Sequence, residues 1–208
     1  MWKIVSGMSL SLSLCMIVVA DDTPRKPSVS VQVCGRVRHG VVAIGGETTG
    51  TTITCNRMVW ELQLHNDAEQ KFAKEHDKEP VIVTGTLRKV TGTEVKARWI
   101  VDVKTLSERD ARTDREGTRL TIRGTLRAAD SRTGDSPRLM IVANGQTWPI
   151  DVAADATLQV RAEALVGQLV LLTGSLEQVT KEDSCHPGII HAKTLIRSAN
   201  EPVQGRSD

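Results

Sequence analysis

The sequence predicts a mainly β protein made of two tandem copies of one small five-stranded barrel, each with a single helix between its third and fourth strands. Three observations predict it. The chain is written twice: Val33-Cys34-Gly35-Arg36-Val37-Arg38 returns as Ile122-Arg123-Gly124-Thr125-Leu126-Arg127, and Lys104-Thr105-Leu106 as Lys193-Thr194-Leu195, at an offset of 88 or 89 residues. That offset is the length of a small domain rather than of a solenoid unit. Apolar and polar residues alternate with the period of half-buried strands. Finally, Gly35 and Gly85 in the first copy and Gly124 and Gly174 in the second stand in mid-strand, where they permit the bends that curl a small sheet shut.

The first 20 of the 208 residues read as a secretory signal peptide, with Lys3, an apolar and Ser-rich run over 8–19, and Ala20 as the small residue at the cut. The run is too short for a comfortable membrane span and no later segment approaches one. A secreted or periplasmic protein without a transmembrane segment in its mature chain is expected. The first barrel is placed at 28–106, a charged linker at 107–118, the second barrel at 119–198 and a disordered tail at 199–208.

Within the first copy, residues 28–37 alternate as the opening strand, and the Gly- and Thr-rich stretch 40–52 continues it into a loop. Strands at 52–55 and 59–64 flank Asn56-Arg57, which aligns with Asn144-Gly145 of the second copy. Asn-Gly marks a two-residue hairpin because both central residues must take positive φ. Residues 67–77 and 155–166 are helical by composition, each opened by a capping Asp, with Gln70 completing a capping box in the first. Strands follow at 81–90 and 169–179, and each copy closes with a last strand at 99–106 or 189–196.

Three strands, a helix and two strands, with a glycine bend in the first and fourth, resemble the OB-fold, in which the helix plugs a five-stranded barrel. The resemblance rests on strands at 31–37 and 120–126, 81–87 and 171–176, and 101–106 and 190–195, and covers most of 28–198. Together with the signal peptide, each copy is similar to the bacterial OB-fold family of small exported proteins and to related nucleic-acid-binding domains. That family generally carries an acidic strand in mid-domain. Here Asp151 echoes it in part, with Gln63 opposite.

Function is bounded by charge and by what the motifs lack. A formal net charge of +2 supplies little counterion-release energy, so strong nucleic-acid binding does not follow from charge and polyanion binding would need a local patch. No nucleophile elbow, phosphate loop or zinc helix is present, so neither an enzyme nor a cofactor is expected. Acids such as Glu61 and Asp102 read as solvated strand faces. Cys185-His186 and His191 offer metal-ligand types but no fourth ligand, so no metal is expected.

Once the signal is removed, Cys34 and Cys55 could form a disulfide, or Cys55 could be a small buried residue opposite Ala143 while Cys34, opposite Arg123, faces the other way. Cys185 has no counterpart. Trp60 shares its parity with Leu62 and Leu64, and Trp148 with Ile150 and Val152, which directs both indoles into the cores. Trp99 has Gly188 opposite it and is the better candidate for an exposed ring, though packing is the more economical account. What remains for a ligand is outward Arg36, Arg38 and Arg57 in the first copy and Arg123 and Arg127 in the second. The reading is an exported, non-enzymatic binding module for a protein, glycan or small polyanion, with an oligonucleotide- or polyanion-binding protein as the alternative and an unrecognised enzyme as the third reading.

Overall fold

The computed structural model describes residues 26–42, 49–90, 98–110, 115–129, 138–177 and 188–198. The expected signal peptide and tail, Cys185 and His186 lie outside them. The first half contains β1 (Ser28–Val42), β2 (Thr49–Cys55), β3 (Met58–Gln63), α1 (Asp67–Glu75), β4 (Pro80–Val90) and β5 (Arg98–Glu108). The second repeats the order with β6 (Gly117–Ala129), β7 (Arg138–Ala143), β8 (Gln146–Asp151), α2 (Ala156–Ala164), β9 (Leu169–Glu177) and β10 (Ile189–Arg197). Each half closes as β1-β2-β3-β5-β4 and back to β1, and as β6-β7-β8-β10-β9 and back to β6, with β3–β5 and β8–β10 parallel. This is the five-stranded OB topology, twice.

The joint between the halves departs from expectation. Instead of two barrels tethered only by a linker, residues 28–34 of β1 pair antiparallel with 117–123 of β6, making one ten-stranded sheet. The physical reason lies in the partly open OB barrel. The first half of β1 bonds β4 on one side, and its other edge carries unpaired N–H and C=O groups that need a partner. Strands also occupy both ends of the expected linker, since β5 runs to Glu108 and β6 starts at Gly117.

Alternation fills one continuous core. Val31, Val33 and Val37 of β1 and Leu120, Ile122 and Leu126 of β6 are buried, and so are Trp60 and Trp148. Trp99 is half-buried and packs across the junction on Trp148, with ring centroids 4.9 Å apart and planes tilted by 54°. All four mid-strand glycines sit where a β-carbon would meet a carbonyl oxygen of the adjoining strand at 2.3–2.5 Å. At Gly85 and Gly174 that close approach accompanies a β-bulge, which leaves Lys104 of β5 and Lys193 of β10 without a register partner.

Both hairpins form as read, with Asn56 and Arg57 at φ +46 and +68 and Asn144 and Gly145 at +50 and +70. The first helix is capped one residue earlier than expected. Asn66, not Asp67, accepts from the Glu69 N–H, and Glu69 rather than Gln70 reaches back, to the His65 N–H at 2.7 Å. Asp155 caps α2 as predicted. Cys34 and Cys55 are both buried and form no disulfide, because the pleat points them to opposite faces, with Cys55 lying over Gly35 inside the first barrel.

Candidate functional site

The second half of β1 pairs with β2 and places Arg36 opposite Thr54 and Arg38 opposite Thr52. With Val37 directed inward between them, both guanidinium groups stand exposed on the outer face. Arg36 Nη1 donates to the Lys78 carbonyl at 3.1 Å. Arg57 is exposed at the tip of the β2–β3 hairpin, and β3 adds an exposed Val59 to this face. A cleft of about 460 Å³ opens next along the barrel, lined by His39, Thr51, Glu61, Gln63 and Arg88 among others.

Two bases of this barrel hold a backbone conformation that suits glycine. Arg57 and Lys78 both have φ +68, and the second copy has Gly145 and Gly167 at the equivalent positions, at +70 and +82. For a residue with a side chain this region costs about 1–2 kcal/mol. Lys78 was missed in the sequence, although Gly167 in the parallel position was the signal that could have found it. The face is not uniformly basic. Asp77 accepts from the His39 N–H at 2.9 Å, and Glu116 from the Asn56 N–H at 3.2 Å.

The arginines of the two copies do not converge. Arg127 is exposed on β6 opposite Met140. Arg123 is half-buried and donates from Nε to Ser198 Oγ at 2.7 Å, with Nη2 directed at the same oxygen, so it anchors the end of β10. In the antiparallel register Ser28 faces Arg123 and Cys34 faces Gly117. Arg36 and Arg38 therefore run off one end of the ribbon and Arg127 off the other, about 40 Å apart along ideal strands.

Outer polar groups elsewhere pair with one another. Glu61 meets Arg98 at 3.5 Å, Asp102 bonds His65, and Arg88 bonds Gln63, so Glu61 and Asp102 are partnered rather than merely solvated. In the second barrel His191 lies between Asp151, 3.0 Å from Nδ1, and Glu177, 2.6 Å from Nε2. Among the described residues no group of three or more metal-ligating side chains is placed to hold an ion.

Cys55 and His76 titrate away from their ordinary values. Burial pushes the Cys55 thiol up, partly offset by the Thr118 hydroxyl that donates to its sulfur at 3.7 Å. His76 is raised because Nδ1–H donates to the Phe72 carbonyl at 2.9 Å, with Glu108 accepting from Nε2 at 3.1 Å as the second cause.

No protein-family model and no curated protein matches the chain. Solved structures do. The wild-type single-stranded DNA binding protein from Thermus aquaticus is 15% identical, with a TM-score of 0.53 over 87% of this chain and 98% of that one. A deletion mutant of the same protein is 14% identical, with a TM-score of 0.53 over 86% and 99%. At this identity the likeness shows the fold. The chain is an OB-fold-like, mainly β protein.

Proposed function

We propose that the protein is an exported, non-enzymatic binding module whose first barrel holds an oligonucleotide or comparable polyanion on the face that presents Arg36, Arg38 and Arg57. The observation that carries this reading is Arg57, a base at a left-handed turn position whose counterpart is Gly145. Strain of this kind clusters at active sites and ligand clamps. The solved structures of similar fold, both of a single-stranded DNA binding protein, favour a nucleic-acid strand among the polyanions. Binding would rest on the backbone more than on stacked bases, because Trp60 and Trp148 are buried and Trp99 is packed against Trp148.

The test is fluorescence anisotropy with a labelled oligothymidylate across a salt series. Wild type should bind with a shallow slope, log K against log salt of about −2 for three displaced ions. R36Q/R38Q/R57Q should lose most of the affinity, and an unchanged isotherm for the triple variant would reject the site. Export predicts that the protein recovered outside the cytoplasm begins at Asp21, which N-terminal sequencing reads directly.

A further inference from the structure

Where the barrels join, the outward face of β4, β1, β6 and β9 floors a cleft of about 630 Å³. It is built around a local two-fold relation. Val31 pairs with Leu120, its own repeat equivalent, and about that pair Thr84 answers Thr173, Gly85 answers Gly174 and Lys104 answers Lys193. Both lysines are the bulged residues described above, and bulges serve to re-aim side chains. Gly85 and Gly174 enforce the arrangement, since only a residue without a β-carbon lets the bulged strand come so close. Beside each bulge a threonine pair, Thr84–Thr105 and Thr173–Thr194, is joined through hydroxyls 2.5 Å apart.

The charge of this cleft differs from that of the chain. Overall, 27 bases face 25 acids. The cleft is lined by Lys104, Arg119 and Lys193 and by hydroxyls and an amide, with no carboxylate among the described lining residues. All three bases are exposed and make no hydrogen bond or ion pair with any described residue. They are thus left to solvent or to a ligand. The volume lies within the range usual for ligand sites.

We infer that this cleft is a binding site for a linear phosphoryl anion, a chain of linked phosphates as found in inorganic polyphosphate or in a nucleic-acid backbone. Lysine ammonium groups act as compact point charges for phosphate, while Arg119 offers a fork of donors. Hydroxyls of Ser30, Thr84, Thr121 and Thr173 stand between them to donate to further oxygens. Length excludes a single phosphate as the natural occupant. From β5 to β10 the sheet crosses five strand spacings, about 24 Å at ~4.8 Å each, so a ligand that meets both lysines must itself be extended. The inference goes beyond the proposed function, because it concerns a different face and stands whether or not Arg36, Arg38 and Arg57 hold an oligonucleotide.

The experiment is calorimetric titration of the full chain with tripolyphosphate and with a longer polyphosphate, alongside nitrogen-15 amide spectra of wild type. Both anions should bind, the longer one more tightly, with the largest amide shifts at Ser30, Thr84, Thr121 and Thr173. K104Q/K193Q should lose at least tenfold in the affinity for the longer anion read at these amides, and should lose it equally in the R36Q/R38Q/R57Q background. Competition by an oligothymidylate at the same amides would identify a nucleic-acid backbone as the source of phosphates, and its absence would identify the inorganic chain. Undisturbed amides with either polyanion, or full affinity in K104Q/K193Q with an unchanged melting temperature, would overturn the inference.

Discussion

The indole N–H of Trp60 and that of Trp148 are buried without an acceptor among the described residues. Each ring therefore contributes through packing, while its polar atom carries a desolvation cost of about 1–3 kcal/mol. Trp60→Ala or Trp148→Ala is expected to lower stability by about 3–5 kcal/mol through the cavity left behind. Trp60→Phe should cost much less, because it also removes the unsatisfied donor. Urea denaturation of the four proteins checks both halves, and equal losses for Ala and Phe would show that the N–H is satisfied. Burial of both rings was legible from parity, since Trp60 alternates in step with Leu62. The anchoring of Arg123 was not, because its partner Ser198 lies 75 residues away and nothing in the local pattern at β6 marks it.

At the level of elements, the repeat supplied information that one copy lacked. Asn144-Gly145 identifies the hairpin that Asn56-Arg57 only suggests, and the structure gives both the same positive-φ turn. That equivalence yields a prediction in which stability and binding change in opposite directions. Arg57→Gly relieves about 1–2 kcal/mol of left-handed strain, partly offset by the greater freedom of glycine in the unfolded chain, about 0.5–1 kcal/mol. The variant should therefore unfold at slightly higher urea while binding the oligothymidylate more weakly. A variant that is both less stable and fully active would assign Arg57 to the fold. The helix cap was missed by one residue for a local reason: Asn66 and Asp67 are both good caps, and only the position of Glu69, whose carboxylate reaches both the His65 N–H and the Asn66 side chain, decides between them. The lysine bulges were half legible. Lys104 and Lys193 were visible as identical repeat positions, but a register slip depends on the facing strand and leaves no mark in the alternation.

At the scale of the molecule, the sequence shows two units and the structure shows one body, and the difference comes from an edge. Each half reads as a complete barrel because its own apolar residues suffice to fill it. The unpaired edge of β1 is a property of barrel closure, and its partner is a strand from the other copy with the same alternating pattern, Val29-Ser30-Val31 against Leu120-Thr121-Ile122. Seven register pairs along this edge, the common core and Trp99 lying on Trp148 couple the halves. Full-length protein is therefore expected to unfold in a single transition, with calorimetric and van't Hoff enthalpies in agreement. Residues 26–110 expressed alone would present the edge of 28–34 to solvent and should self-associate through it, as open strand edges do. Trp99→Ala in the full chain should loosen the coupling without opening the edge, broadening the transition before splitting it. Two well-separated transitions in the unaltered protein, or a stable monomeric first half, would show that the β1–β6 pairing is too weak to make the barrels one cooperative unit.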